Sequence, residues 1–321
     1  MCDIELGDTV YVVDGGFLIH RVVWHQHESF TAIIDRYAEY VKKHYKETAI
    51  IVFDGYPEKL EEKSRKYAER ARRMGCATRE IIFDENMTPT TSQSKFLLNG
   101  KNKSRLLAML ITKLTSQGYF VKQAHEDADT LIVNTATGEA SKTNSITIVG
   151  EDVDLLVILT AVAESKHNIY FLKQGKARAE NKVYTQASFK FESKIKDNIL
   201  FLHAFRGADT TSAFFWQGKL KILSLLTKYV DLQELVAVFK NPHADPEKIV
   251  EAGKRFIFKL YGSKEWDSHG DLRYQCFANS LNKSTFTLAS LPSTDATARF
   301  HSLCTYLQVQ KWLGHDFPPT E

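Results

Sequence analysis

The stretch SITIVGEDVDLLVIL, residues 145–159, places a short β-branched segment directly before three acidic residues and a second aliphatic segment. The first segment predicts a buried strand, and the acids fall where that strand would pass into a helix. A carboxylate beside a buried segment is costly unless a helix N-terminus, a hydrogen-bond donor or a cation stabilises its charge. Glu151, Asp152 and Asp154 therefore have two alternative roles, the cap of a helix or the ligands of a metal ion.

The same order of strand and helix recurs through the first 200 residues. Besides the strand at 145–150, we predict strands at 9–14, 49–54, 119–124 and 168–173. The segments between them, such as FTAIIDRYAEYVKKHYKE, carry apolar residues at helical spacing. Short apolar strands that alternate with helices indicate an α/β fold with a mostly parallel central sheet flanked by helices. In such a sheet, ligands bind beyond the carboxyl ends of the strands.

The pattern changes near residue 200, and we predict two domains. The first, residues 1–200, is the α/β domain, and it includes a basic segment at about 58–105 that we expect to form a helical arch. The second, residues 201–321, is a helical region that includes a degenerate helix–two-turn–helix at about 205–230. One of its predicted helices starts at an Asp-Pro pair and ends at Gly262, which are typical helix boundaries.

Composition places the chain among soluble globular proteins. It has 321 residues, 43% of them hydrophobic, and no apolar stretch approaches the ~20 residues of a membrane span. The four cysteines form no CxxC pair, which argues against a zinc site and a disulfide framework. The N-terminus lacks the features of a secretory signal, so we expect an intracellular protein with no membrane partner. Since the net charge is only +3, a nucleic-acid surface would need clustered basic residues.

Acidic residues recur at the ends of the predicted strands and in one later turn. They are Asp14, Asp54, Asp127, Asp129, Asp152, Asp154 and Asp209. A single aspartate at a strand end commonly caps the next helix, but two D-x-D pairs exceed what a cap requires. Converging carboxylates raise one another's pKa, and a divalent cation removes that repulsion. Oxygen ligands without His or Cys favour Mg²⁺ or Mn²⁺, and seven acids suit two ions that assist phosphodiester hydrolysis.

Five motifs occur in a fixed order: VVDGG, VFDGYPE, AHEDADTLIV, VGEDVDLLVIL and RGADTTS. This order resembles the flap-endonuclease (XPG-like 5′-nuclease) family within the PIN-like superfold, over about residues 8–230. The resemblance implies that the seven aspartates are catalytic and hold two Mg²⁺ or Mn²⁺ ions, and that the substrate is branched or 5′-ended DNA. The segment GADTTSAFFWQGK also resembles a group of animal proteins that are associated with mobile elements.

The sequence departs from the family pattern at three places. The family's E-A-E pair is D-A-D here, and Glu126 directly before it could compete for its role. The family's G-x-D-Y motif loses its aromatic residue and ends in Thr210. Its G-x-G-K turn reads WQGK, residues 216–219, without the first glycine. The resemblance implies a K⁺ site at this turn, and the missing glycine argues against it.

The resemblance also implies a basic gateway helix after the FDGYPE motif. Lys63 and Arg70 have the family's seven-residue spacing, which is about two helical turns and puts both on one side of a helix. They would steer the scissile phosphate and stabilise the charge of the transition state. The alternative is a solvated helix with Glu–Lys and Glu–Arg pairs. The other residues expected to contact nucleic acid are Tyr56, Lys66, Arg73, Gly218, Lys219 and Lys221.

Three functions remain open from the sequence. The first is a metal-dependent nuclease that cuts DNA at a junction or free end and works in the nucleus. The second is a PIN-like ribonuclease with the same chemistry. The third is a catalytically silent protein that binds nucleic acid on a nuclease fold, and the retention of all seven acids counts against it because unneutralised clustered acids destabilise a fold. Tyr56 likewise has two possible roles, a stacking platform for a base or a packed core residue.

Overall fold

The structure is a computed structural model. It describes residues 9–56, 79–163, 168–176, 179–185, 188, 192–208, 210–215, 217–263, 268–281 and 286–315. The chain divides into two compact units, one within Met1–Leu159 and Ala163–Phe189 and the other within Thr160–Val162 and Lys190–Glu321.

The first unit is built around a six-stranded sheet with the order β3-β2-β1-β4-β5-β6. The strands are β1 (Val10–Asp14), β2 (Ile50–Phe53), β3 (Phe120–Gln123), β4 (Ile146–Val149), β5 (Ile169–Lys173) and β6 (Lys182–Thr185). The first five strands run parallel, and β6 pairs antiparallel with β5 at the edge of the sheet. The α/β fold with a mostly parallel sheet, which the sequence predicted, is confirmed.

The five strands predicted from the sequence all occur, each shorter than predicted by up to one residue at either end. The strands β2 and β4 consist of IIVF and ITIV, and all eight residues are buried. A strand that is buried along its whole length is typical of a parallel sheet covered on both faces. The interior position of these strands therefore follows from their almost wholly apolar composition.

Helices connect the strands of this unit. They are α1 (Gly15–Arg21), α2 (Phe30–Tyr45), α3 (Gln93–Leu98), α4 (Gly100–Ser116), α5 (Asp129–Glu139) and α6 (Val153–Val162). The helix α2 buries Ile33, Tyr37 and Val41, which are four residues apart and lie on one face. Such spacing lets the helix cover one side of the sheet while its polar face meets solvent.

Half of the predicted arch segment, residues 79–105, is described. Phe96 and Leu97 of α3 are buried in the core of the first unit. The side chain of Asn99 caps α4 by accepting bonds from two backbone amides, and that of buried Asn102 accepts a 2.8 Å bond from the amide of Ile81. This half is therefore anchored by packing and by buried hydrogen bonds, and residues 57–78 lie outside the described part of the chain.

The second unit is helical in the part that the structure describes. Its helices are α7 (Ser193–Asp197), α8 (Ile199–Arg206), α9 (Lys219–Lys228), α10 (Val230–Ala237), α11 (Pro246–Leu260), α12 (His269–Ala278) and α13 (Asp295–Trp312). Short 3₁₀ turns lie at Val238–Lys240 and Leu288–Ser290. The rings of Phe201, Phe239 and Phe256 meet in its core, with centroids 4.7 Å and 5.2 Å from that of Phe201.

The helices α11 and α13 of this unit approach each other closely at Gly253. A Cβ atom there would lie only 2.0 Å from the Oγ atom of Ser302, so glycine permits the contact. Among the described residues, none of the helices has the length and apolar character that a membrane crossing requires.

Candidate metal centre at the sheet edge

Asp54 and Asp152 follow the strands on either side of β1, which lies between β2 and β4 and ends at Asp14. Asp14 ends β1 and is level with Val52 of β2, while Val13 is level with Val149 of β4. On each neighbouring strand, an acid therefore comes two residues after the residue level with Asp14. This acid is Asp54 after β2 and Asp152 after β4. The parallel register brings acids from three neighbouring strands to one edge of the sheet, where an α/β sheet binds its ligands.

Asp14 has two roles in this structure. It is the N-cap of α1, because its Oδ1 atom accepts a 2.7 Å hydrogen bond from the amide of Gly16. Burial, together with the nearby carboxylates of Asp54 and Asp152, raises the pKa of its carboxyl group from 3.8 to about 7, although backbone hydrogen bonds from Gly16 and Phe17 act to lower it. The carboxyl group thus lies where its negative charge is poorly stabilised by the protein alone.

Asp54 comes directly after β2, and hydrogen bonds at this point link the end of β2 to the loop after β3. Its Oδ1 atom accepts a 3.1 Å bond from the amide of Ala128. The amide of Gly55 donates a 2.8 Å bond to the carbonyl of Glu126. A Cβ atom at Gly55 would lie 1.9 Å from the carbonyl oxygen of His125, so only glycine fits. These contacts hold the loop that carries the first D-x-D pair against Asp54.

Asp127 and Asp129 form that first pair. Asp129 is the first residue of α5, and Asp127 lies two residues earlier, before the N-cap position at Ala128. Both side chains are half-buried. Glu126, which we considered as a competitor for this pair, contributes its backbone carbonyl to the bond with Gly55.

Asp152 and Asp154 form the second pair, at the start of α6. Asp152 is the N-cap of this helix, and its Oδ1 atom accepts a 3.0 Å bond from the amide of Asp154. Asp152 is exposed, and Asp154 is half-buried in the first helical turn. Glu151 pairs with Lys176, with 2.9 Å between its Oε2 atom and the lysine Nζ atom. Asp152 therefore caps a helix and also acts electrostatically on Asp14, so the two roles that the sequence offered do not exclude each other.

A divalent cation fits the donor chemistry of this edge, since the side chains that gather there offer carboxylate oxygens. The charge repulsion on Asp14 is the repulsion that such an ion would relieve. Within the described residues, however, no three His, Cys, Asp or Glu side chains are close enough together to hold a metal ion. The edge therefore supplies carboxylate oxygens, but the described side chains are not arranged as a complete set of metal ligands. Asp209 lies outside the described residues.

The predicted nucleic-acid contacts are only partly described. Lys63, Lys66, Arg70 and Arg73 fall within 57–78, outside the described residues. Tyr56 is half-buried and packs against the core of the first unit, and its stacking on a base stays a prediction. The Nζ atom of Lys103 lies 5.2 Å from the centroid of its ring. The sequence does not predict this contact, because only packing brings α4 to the end of β2.

The turn before α9 carries the remaining predicted contacts. Gly218 is the N-cap of α9 with φ −63° and ψ 155°, a conformation open to any residue, and a Cβ atom there would meet nothing within 4 Å. Lys219 is the first helical residue. The Nζ atom of Lys221 donates a 2.8 Å bond to the side chain of Gln217, and burial lowers the pKa of this lysine. The backbone at Gly218 thus lies in open space, without the left-handed conformation that would require glycine.

Comparison with protein-family models and with curated protein sequences gave no match. Among solved structures, the chain is similar to one described as the catalytic core of Rad2 in complex with a DNA substrate. The two sequences are 15% identical and the TM-score is 0.45. The similarity covers 97% of this chain and 90% of that chain.

Proposed function

We propose that the protein is a Mg²⁺- or Mn²⁺-dependent nuclease that hydrolyses phosphodiester bonds by a two-metal-ion mechanism, on branched or 5′-ended DNA. The seven predicted ligands and catalytic acids are Asp14, Asp54, Asp127, Asp129, Asp152, Asp154 and Asp209. The proposal rests on sequence motifs together with the arrangement of the six acids that the structure describes.

The observation that carries the proposal is the environment of Asp14. Its carboxyl group lies at the end of the central strand, and burial together with Asp54 and Asp152 raises its pKa to about 7. A protein that used these acids only as helix caps would have no need to place three of them around one strand end. Groups with strongly shifted pKa values cluster at functional sites, and this cluster lies at the edge where parallel sheets bind ligands.

Different residues of the chain would bind the metal ions, position the carboxylates and steer the phosphate at such a site. Asp14, Asp54 and Asp152 would hold a metal ion, and the D-x-D pairs at the starts of α5 and α6 would extend the ligand set. When bound, the ions would supply a water of lowered pKa and stabilise the charge of the phosphate. The caps and the bond from Ala128 to Asp54 would fix the carboxylates in place. Lys63 and Arg70 would steer the phosphate.

The preference for DNA rests on the basic segment at 58–105 and on the helix–two-turn–helix pattern, both proposals from the sequence. A DNA substrate would place the protein in the nucleus, and the likeness of GADTTSAFFWQGK to proteins of mobile elements fits such a substrate. The same acids would serve a ribonuclease equally well. The experiment must therefore contain both nucleic acids.

The test is a cleavage assay with the full chain on labelled flap, nicked, hairpin and single-stranded DNA, and on the matching RNA. Each substrate is incubated with Mg²⁺, with Mn²⁺ or with EDTA. We expect metal-dependent cleavage of at least one DNA substrate with a junction or free end. Cleavage of RNA alone would favour the ribonuclease, and binding without metal-dependent cleavage of any substrate would favour the silent binding protein.

Replacement of Asp152 and Asp154 by asparagine separates charge from structure, because asparagine at the N-cap position of Asp152 caps a helix about as well as aspartate. The double variant Asp152→Asn/Asp154→Asn should lose cleavage and largely keep substrate binding. Asp245, the N-cap of α11, is a matched control because its side chain accepts the same kind of bond from Glu247. Asp245→Asn should keep full activity. Full activity in the double variant would show that the site is misplaced.

A further inference from the structure

We propose that β3 (Phe120–Gln123) pairs with the same strand of a second copy of this chain, antiparallel and with Val121 on the two-fold axis. The contact joins the six-stranded sheets of the two copies side by side. This inference goes beyond the proposed nuclease activity and does not depend on it, because it concerns the outermost strand of the sheet rather than the carboxyl ends of the strands.

The strand β3 is the outermost strand on one side of the sheet, next to β2. Three of its four residues are exposed, and the side chain of Phe120 is 74% exposed. Within the part of the chain that the structure describes, no strand lies on the outer side of β3. An open outermost strand presents backbone N–H and C=O groups that can pair with another strand.

The hydrogen bonds to β2 show which backbone groups of β3 point outward. Directly after the strand, the amide of Ala124 donates a 2.9 Å bond to the carbonyl of Phe53 at the end of β2. Alternate residues of a strand direct both of their backbone groups to the same side, so Phe120 and Lys122 also bond to β2. The N–H and C=O groups of Val121 and Gln123 therefore point away from the sheet.

The side chains of β3 alternate between the two faces of the sheet. The Nζ atom of Lys122 donates a 3.1 Å bond to the hydroxyl of Thr135 on α5, and Phe120 lies on the same face as Lys122. Val121 lies on the other face and packs against the core. Because a hydroxyl group is neutral, its bond to Lys122 leaves the positive charge in place beside the exposed ring.

These positions make β3 complementary to itself. A two-fold axis perpendicular to the sheet keeps the same face of both copies on one side. With Val121 on the axis, the two Val121 residues exchange N–H···O=C bonds. Phe120 then lies directly opposite Lys122 of the second copy, as a non-hydrogen-bonded pair in which the side chains are closest. The ring and the ammonium group attract each other, and the symmetry forms this pair twice.

The neighbouring registers are less favourable. With Lys122 on the axis, its charge would lie opposite the same charge of the second copy. With Phe120 on the axis, the two rings would meet, but the pairing would need residues 118 and 119 as well. Gly118 has φ +88°, which is outside the extended conformation, so β3 starts too late for that register. The charge of Lys122 and the start of the strand together select the register with Val121 on the axis.

A contact of this length predicts a weak and reversible dimer. Four-residue strands give a small interface, for which we expect a Kd between about 1 µM and about 1 mM. In the antiparallel arrangement, the carboxyl ends of the strands in the two copies point in opposite directions. The two acidic edges then lie at opposite ends of the joined sheet, and cleavage should not require the dimer.

The test is sedimentation equilibrium of the full chain from about 1 µM to about 1 mM, the range expected for so small an interface. The wild type should show a monomer–dimer equilibrium. Phe120→Lys places a lysine opposite Lys122 of the second copy and should raise the Kd about tenfold or more. Phe120→Glu places a carboxylate there and should keep or lower the Kd. Both variants lose the ring, so a difference between them isolates the pairing with Lys122.

Two further variants serve as rescue and control. Phe120→Lys/Lys122→Glu restores opposite charges in the proposed register and should recover the dimer, whereas it would place two carboxylates together with position 122 on the axis. Val23→Lys replaces another exposed apolar residue of the first unit, 67% exposed, and adds the same charge as Phe120→Lys. Val23→Lys should leave the Kd unchanged. An equal loss in Val23→Lys would reduce the effect to net charge and overturn the proposal.

Other outcomes are equally decisive. A wild type that stays monomeric over the whole range would overturn the dimer, and its metal-dependent cleavage would keep the nuclease. Equal weakening by Phe120→Lys and Phe120→Glu would show that Phe120 does not face Lys122 and would overturn the register. Growth beyond the dimer would indicate an open contact between β3 and a different surface, which also overturns the proposal. A wild-type dimer that responds to the charge changes but does not cleave would support the pairing and remove the nuclease.

Discussion

Gly150 lies against the carboxyl group of Asp14. A Cβ atom at Gly150 would be 3.7 Å from the Oδ2 atom of Asp14 and 2.8 Å from the Cδ1 atom of Leu155. The glycine between β4 and Glu151 thus lets α6 start close to the end of β1, and its contacts connect the acid on the central strand to the helix capped by Asp152.

Gly150→Ala should destabilise the first unit by about 1–3 kcal/mol, because the added methyl group must displace the end of buried Leu155. Denaturant unfolding measures this change. Gly138→Ala is the control, since Gly138 lies in α5 with nothing within 4 Å of its Cβ position. A helical Gly-to-Ala change at an open position should stabilise by about 0.5–1 kcal/mol. Equal effects at both glycines would contradict the close packing at Gly150.

Asp14 should make the stability of the metal-free protein fall as pH rises. The folded-state pKa of about 7 lies above the ordinary value of 3.8, so the folded state keeps its proton where the unfolded state has lost it. Stability is therefore greatest below about pH 4 for this group and is lost between pH 4 and 7. A shift of this size corresponds to at most about 4 kcal/mol, and screening would reduce it.

Asp14→Asn removes this dependence and keeps the helix cap. In EDTA, we expect the variant to be more stable than the wild type at pH 8 by roughly 2 kcal/mol or more, and to differ little at pH 4. Urea unfolding at several pH values measures both proteins. A difference that does not change with pH would contradict the buried, repelled carboxylate at position 14.

A divalent cation should reverse the loss of stability that the charged carboxylate of Asp14 causes at high pH. At pH 8, Mg²⁺ or Mn²⁺ at 100 times its dissociation constant should stabilise the wild-type protein by about 2.7 kcal/mol. The effect should shrink at pH 5, where a proton occupies Asp14, and it should be much weaker in Asp14→Asn. Thermal unfolding with and without the ion measures it. Equal stabilisation of wild type and Asp14→Asn would show that the ion binds elsewhere.

Gly55 provides a prediction for the loop that carries Asp127. Because a Cβ atom would strike the backbone of His125 and Ala124, Gly55→Ala should separate the end of β2 from this loop. We expect a loss of at least 2 kcal/mol in stability and a larger loss in cleavage than Gly150→Ala causes. Cleavage at a temperature where the variant is folded separates the two effects. Normal cleavage by folded Gly55→Ala would show that the loop does not contribute to the site.

The sequence was sufficient to predict the strands, their parallel arrangement and the acids at their ends. Runs such as AIIVFD and SITIVG are too short for a helix and too apolar for a loop, so each one predicts a strand. The order of the strands in the sheet was not predictable, because it depends on which helices cover which face. The edge strand β6 contains no long apolar run, so the sequence indicates it more weakly than the other strands.

The local roles of the acids were less predictable. The sequence does not show whether an aspartate before a helix caps that helix, interacts with another carboxylate or does both. Asp152 does both. The contacts of Lys103 with Tyr56 and of Lys176 with Glu151 join residues far apart in the chain. No periodicity in a single sequence records such pairs, since they arise when the elements pack.

We propose that the acids around Asp14 form a divalent metal site. The most direct test is a crystal of the full chain grown with Mn²⁺, with data collected at a wavelength where manganese scatters anomalously. We expect an anomalous peak within about 2.0–2.4 Å of carboxylate oxygens of Asp14, Asp54 or Asp152, and its loss in Asp14→Asn crystals. Ordered carboxylates with no anomalous peak beside them, at a Mn²⁺ concentration that supports cleavage, would contradict it.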